Sequence, residues 1–193
     1  EFTLFLNSLP TETFAQRRFK RMTIFARISG LRLTELLHLT ISDILFDKEV
    51  ILVRNSLSFR TKSGKERFVP LSTNGISIIL NQIDDNITHD DLRVRTSQII
   101  FPNNTGGNLS KYTVSEVFRE HKNSLLSGKT NLCFHSLRGT FITEAVNDGV
   151  PITQVQMAAG HRTIRTTEGY INYDLIKLIK LKESLDKIHL SNE

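Results

Sequence analysis

His135, Arg138, His161 and Tyr170, with Arg32 and Lys62 far upstream, are the residue types that nucleophilic attack on a phosphodiester requires. A phenol with a pKa near ~10 is about a thousandfold short of ionisation at pH 7, so Tyr170 attacks only if a base or a strong positive field assists it. The guanidiniums of Arg32 and Arg138 stay charged at physiological pH. They can hold nonbridging phosphate oxygens in a fork while negative charge builds on them. The imidazoles of His135 and His161 can take or relay the phenolic proton and donate to the phosphate. The departing 5′-oxygen needs a proton, and Lys62, on a flexible stem at a hairpin, can deliver one. Tyr173 is a rival nucleophile, but the nine residues from His161 and the preceding Thr166-Thr167 favour Tyr170.

These side chains need elements to aim them. His135 and Arg138, at i and i+3, share a face of a helix starting near Phe134. Gly149-Val150-Pro151 breaks that helix from a second one, because Gly suits a helix end and Pro a helix start. Upstream, Thr13 and Gln16 form a capping box for a helix that carries Phe14, Phe19, Met22, Phe25 and Ala26 and ends at Gly30. Arg32 then falls at the junction with a short helix over Thr34-Glu-Leu-Leu-His-Leu. Asp43 to Phe46, Val50 to Arg54 and Lys65 to Leu71 read as three strands of a small antiparallel sheet, with Lys62 near the tip of the last hairpin. Gly75 to Ile83 reads as helix, the acidic stretch to Gln98 as loop, and Ser110 as the cap of a helix bearing Val114, Val117, Phe118 and Leu125. From Asp174 a last amphipathic helix is expected, either part of the same domain or docked on a neighbouring protomer. The fold class is mainly α with a small three-stranded antiparallel β-sheet (α+β).

The chain of 193 residues, 39% apolar, is enough for one packed domain. Its formal charge of +5 and pI of about 9.5 favour a polyanionic partner. Arg17, Arg18, Lys20, Arg21, Arg27 and Arg32 crowd one segment, Arg54, Arg60, Lys62, Lys65 and Arg67 another, while Asp84, Asp85, Asp90 and Asp91 sit together, so a polarised surface is expected. Solvated helix faces would account equally well for either basic cluster. Cys133 is the single cysteine, which excludes an intrachain disulfide, and it reads as a small buried hydrophobe. No apolar run approaches the roughly 18 residues of a membrane span, and the expectation is a soluble, intracellular protein. His38, His121 and Tyr112 read as structural.

Gly30-Leu31-Arg32-Leu33-Thr34-Glu35-Leu36, Lys62-Ser-Gly-Lys-Glu-Arg-Phe-Val-Pro-Leu71, His135-Ser-Leu-Arg138, Ala159-Gly160-His161 and Thr166-Thr-Glu-Gly-Tyr170 together resemble the catalytic domain of tyrosine recombinases, the family of Xer enzymes and phage integrases. Each motif alone recurs by chance; five in the family's order and approximate spacing do not. The resemblance implies the DNA breaking-rejoining fold and site-specific recombination, in which Tyr170 forms a 3′-phosphotyrosyl link and frees a 5′-hydroxyl, with no metal, ATP or other cofactor. It makes Arg32 and Arg138 the phosphate-binding arginines, His135 and His161 the paired histidines, and Lys62 the hairpin lysine, preferred over Lys65. Glu35 matches an acidic residue that orients the site from behind. Arg60, Lys65, Arg67 and Arg162 are candidate DNA-phosphate contacts.

The resemblance implies a catalytic domain over 1–173 and the C-terminal helix over 174–193, with the family's N-terminal core-binding domain absent. The partners it implies are a double-stranded DNA recombination site and other protomers, tetrameric on DNA and weakly associated or monomeric without it, in a bacterial cytoplasm at the nucleoid. Ala159 and Gly139 depart from the residues many relatives carry, without removing a reacting group. A type IB topoisomerase shares the fold and nucleophile, but His135 stands where such enzymes usually have Lys. A non-catalytic DNA-binding relative would not need the intact set.

Overall fold

The computed structural model describes residues 2–55, 64–125, 132–161 and 163–169. Nine α-helices, two single-turn 3-10 helices (Ile41–Asp43 and Phe46–Lys48) and three strands lie within them. The order is α1 (Phe2–Ser8), α2 (Phe14–Ser29), α3 (Leu33–Leu37), β1 (Ile44–Leu45), β2 (Val50–Val53), β3 (Arg67–Pro70), α4 (Thr73–Ile87), α5 (Leu92–Arg95), α6 (Lys111–Leu125), α7 (Phe134–Asn147), α8 (Ile152–Ala159) and α9 (Ile164–Glu168).

Helix α2 is the central post. Its capping box forms as the sequence predicts: Thr13 Oγ1 accepts from the Gln16 backbone N–H, and Gln16 Oε1 accepts from that of Thr13. Phe19, Met22, Phe25 and Ala26 face the core, where they meet Phe5, Leu36, Ile51, Ile79, Phe101 and Phe118. Burying a side chain of this size stabilises the fold by roughly 1.5–3 kcal/mol each, before conformational entropy is subtracted. The strands pair antiparallel in the order β1-β2-β3, with Ile51 opposite Val69 at the buried centre. A smaller cluster of Ile142, Val155 and Ala159 ties α7 to α8.

The acidic segment departs from its sequence reading. Helix α4 runs through Asp84 and Asp85 to Ile87, and α5 follows within the stretch read as loop. Asp85 is neutralised where it stands, accepting from Arg17 Nε at 2.8 Å and Arg21 Nη1 at 2.6 Å. Arg18 is buried and donates to the Pro102 carbonyl at 2.5 Å. Of the first basic cluster, Arg18 is thus internal, and the partly exposed Arg17 and Arg21 are paired with one of the acids they were expected to oppose. Cys133 is exposed, not buried, and Tyr112 is 75% exposed on α6. Helices α1 and α9 were not read from the sequence. The predicted helix after Asp174 lies outside the described residues, as do Arg60, Lys62, Arg162, Tyr170 and Tyr173. Among the described residues no helix is long and apolar enough to cross a membrane.

Candidate active site

The last carbonyls of a helix have no partner inside it and carry partial negative charge. At the end of α8 three successive carbonyls are met by three arginines from three other parts of the chain. Ala158 O accepts from Arg67 Nε at 2.8 Å, Ala159 O from Arg138 Nη2 at 2.5 Å, and Gly160 O from Arg32 Nη2 at 2.9 Å. The Ala-Ala-Gly run before His161 is therefore the hub on which the cations converge. Its glycine is required. Gly160 caps α8 at φ 66°, and a Cβ there would lie 2.9 Å from Arg67 Cδ and Nε.

Behind the arginines sits Glu35, 4% exposed. Its Oε1 accepts from Arg32 Nη1 at 2.8 Å and Arg67 Nη1 at 2.9 Å; its Oε2 accepts from the Arg32 backbone N–H at 2.8 Å and Arg67 Nη2 at 2.7 Å. The fork from Arg67 is bidentate, the strong geometry for a guanidinium and a carboxylate. Burial opposes ionisation of Glu35, but the hydrogen bonds and charges of Arg67, then Arg32, outweigh it and hold the carboxyl below its ordinary range. Arg138, 3% exposed, also donates from Nη1 to the carbonyl of Gly30, the left-handed cap of α2, at 2.6 Å.

His161 follows the hub directly, and its Nδ1 shares a 2.9 Å hydrogen bond with the hydroxyl of the fully buried Thr167 on α9. Its pKa is lowered to about 4, first by burial and then by the charges of Arg138, Arg32, Arg67 and His135. At neutral pH it is an uncharged imidazole in a positive field, able to accept a proton through one ring nitrogen. His135 stands exposed near the start of α7. Two clefts adjoin the site, Arg32 lining the first and Gly160 the second. One, of about 610 Å³, is lined by Arg32, His135 and the basic Lys111, Arg119 and Lys122 of α6. The other, of about 930 Å³, is lined by Lys65, Arg67, Phe68, Met157 and His161. Among the described residues no group of three or more His, Cys, Asp or Glu is placed to hold a metal ion.

The structure thus brings together Arg32, Glu35, His135, Arg138 and His161 of the predicted set. Arg67, expected at a DNA phosphate, instead has a 9% exposed side chain bound to Glu35 and Ala158. Sequence reasoning missed Thr167 as the partner of His161, and the signal was present in the Thr166-Thr167 pair already noted beside Tyr170.

A mostly helical domain with a three-stranded sheet and an arginine- and histidine-lined centre is the architecture of tyrosine recombinase catalytic domains. The phage integrase family model matches residues 5–175, and the chain belongs to that family. It is 30% identical over 166 residues to tyrosine recombinase XerD of Vibrio cholerae, covering 85% of this chain and 52% of that one. It is also 30% identical over 144 residues to a probable integrase/recombinase protein of Methanocaldococcus jannaschii, covering 72% and 41%. The chain spans about half the length of the curated relatives it matches. Among solved structures, the Tn1549 transposon integrase with circular intermediate DNA superposes with a TM-score of 0.75 at 18% identity, covering 93% of this chain and 62% of that one. XerH recombinase on palindromic difH substrate gives 0.75 at 21%, covering 96% and 51%.

Proposed function

We propose that this chain is the strand-cleaving and rejoining domain of a site-specific DNA recombinase acting through Tyr170. The convergence of Arg32, Arg67 and Arg138 on successive carbonyls immediately before His161 carries this reading, because it concentrates positive charge next to a neutral imidazole nine residues before the phenol. Tyr170 attacks the scissile phosphate and loses its proton to His161, directly or through water. Arg32, Arg138 and His135 stabilise the charge on the nonbridging oxygens. Lys62 protonates the leaving 5′-oxygen. The 3′-phosphotyrosyl bond keeps the ester's energy, so a second 5′-hydroxyl reverses the step on a partner strand.

The α6 face with Lys111, Arg119 and Lys122 supplies backbone contacts that continue from Arg32 and His135, and Arg60, Lys65 and Arg162 add others. The substrate is a double-stranded recombination site, bound by several protomers of the same enzyme, with residues 1–173 as catalytic domain and 174–193 packing on it or on a neighbour. A core-binding domain completes the clamp on DNA. The XerH and Tn1549 integrase structures, both described with DNA, support that class of substrate. The setting is the cytoplasm, at the nucleoid.

The test is a nicked suicide substrate carrying the recombination site, incubated with the protein as its gene encodes it. A covalent protein–DNA adduct is expected for wild type and for Tyr173→Phe, and none for Tyr170→Phe. Adduct formed by Tyr170→Phe overturns the assignment of the nucleophile. Processive supercoil relaxation with no strand exchange would make the enzyme a topoisomerase instead.

A further inference from the structure

We propose that Arg67 is a positioning residue for this reaction, which locks the Glu35 carboxylate and the last turn of α8 together so that Arg32 and His161 are presented in register. The inference rests on the recombinase reading and adds a part to it. Arg67 opens β3, the strand that follows the hairpin, and its side chain joins three elements at once. Two N–H groups grip Glu35 on α3 at 2.9 and 2.7 Å, and Nε holds the Ala158 carbonyl of α8 at 2.8 Å. Its stem packs against Gly160, where a Cβ would come within 2.9 Å.

All three guanidinium nitrogens of Arg67 already donate to protein acceptors, Nε to the Ala158 carbonyl and Nη1 and Nη2 to Glu35. Arg67 is neither well exposed nor replaceable by lysine, whose point charge cannot fork a carboxylate and reach a carbonyl together. Glu35 in turn binds both the backbone and the side chain of Arg32. Loss of Arg67 would leave a buried carboxylate with Arg32 alone. Arg32 is then drawn toward charge compensation, and the residue before His161 loses its support. The charged groups facing Glu35 are Arg32 at the start of α3 and Arg67 from β3; His161, beyond α8, faces the same guanidiniums. Without Arg67, burial has less opposition and Glu35 takes up a proton at higher pH.

The decisive comparison is wild type, Arg67→Met, Arg67→Lys and the double variant Glu35→Gln/Arg67→Met in the protein as encoded, each checked for folding by circular dichroism. Adduct formation is timed at saturating suicide DNA, and the dissociation constant is measured across salt concentrations. The expected result is a fall in the saturated cleavage rate of about 100-fold for Arg67→Met, with the affinity and the salt slope unchanged. Arg67→Lys should recover no more than about a tenth of the wild-type rate. The acidic limb of the Arg67→Met pH–rate profile should move to higher pH, matched by the Glu35 carboxyl carbon titrating later in NMR.

A phosphate contact predicts the reverse: weaker binding, a salt slope smaller by about 1, and an unaltered saturated rate. That outcome, or an unshifted Glu35 titration, overturns the proposal. Should Arg67→Met not fold, Arg67→Lys carries all of these readouts, and the double variant, which has no carboxyl at position 35, carries the rate, the affinity and the salt slope. A wild-type protein that forms no adduct would sink the recombinase reading, while an active wild type with an equally fast Arg67→Lys would sink only this one.

Discussion

Arg138 Nη1 and the carbonyl of Gly30 meet at 2.6 Å across 108 residues of chain, so the end of the central helix α2 is fixed to the arginine of α7. Gly30 turns that carbonyl toward the site by adopting φ 63°, while its N–H closes α2 on the Ala26 carbonyl. The same device recurs at Gly160, whose left-handed cap offers its carbonyl to Arg32. Two glycine caps therefore hold the two arginines assigned to the phosphate.

Gly30→Ala should destabilise the domain and mis-set Arg138 together. An L-residue in the left-handed region costs roughly 1–2 kcal/mol, and the new Cβ would fall 2.3 Å from the Phe141 ring. Relieving that overlap adds about 1–3 kcal/mol. Urea unfolding should show a loss of about 2–5 kcal/mol; a loss under about 1 kcal/mol would mean that the cap relaxes and the tether does not matter.

Asp85 gives the opposite expectation for a basic cluster. Arg17 and Arg21 bind it at 2.8 and 2.6 Å on partly exposed side chains, a geometry whose contribution to stability is about 1 kcal/mol or less. Arg21→Ala should therefore lower stability slightly and leave the salt dependence of DNA binding untouched, whereas Lys122→Ala, in the cleft beside Arg32, should reduce the slope by about 1. A slope lowered as much by Arg21→Ala as by Lys122→Ala would show that charge near α2 also reaches DNA, whereas a wild-type slope for Lys122→Ala would remove the α6 face from the interface.

The framework was largely legible because it follows local rules. The capping box at Thr13, the glycine stop at Gly30 and the β-rich apolar run of Val50 to Val53 after the turn residues Asp47-Lys48-Glu49 announce α2 and β2 without reference to the rest of the chain. The grouping of Arg32, His135, Arg138 and His161 was legible from their types and order. The destination of each individual charge was not. Arg67 and Arg60 are equivalent in the sequence, and only the packing of β3 against α8 turns Arg67 inward to Glu35. Asp84 and Asp85 resemble a solvated loop until Arg17 and Arg21 arrive from α2 to neutralise Asp85 and let α4 continue. Such pairings are made across 60 residues or more, beyond the reach of local patterns.

His161 should titrate far below an ordinary histidine. Its pKa is about 4 in the folded protein, from burial and the charges of Arg138, Arg32, Arg67 and His135, against about 6.5 in the unfolded chain. The unfolded state thus binds more protons between those values, so stability is full above pH ~6.5 and declines as pH falls toward 4. His161→Asn should flatten that part of the stability–pH curve. Imidazole nitrogen shifts in NMR read the group directly, and a titration midpoint at or above 6.5 would contradict the depression.

Thr167 should control which nitrogen of His161 faces the substrate. Its hydroxyl, fully buried, lies 2.9 Å from Nδ1 and orients the ring, three residues before Tyr170, the proposed nucleophile. Thr167→Val keeps the shape and deletes the hydroxyl that bonds Nδ1. Cleavage at saturating DNA should slow by about 10- to 100-fold, the range general-base alignment supplies, while DNA affinity stays within about threefold. Thr167→Ser retains the hydroxyl and should recover most of the rate. If Thr167→Val cleaves as fast as wild type, proton removal from Tyr170 does not depend on the His161 orientation held here, and the base must be sought elsewhere.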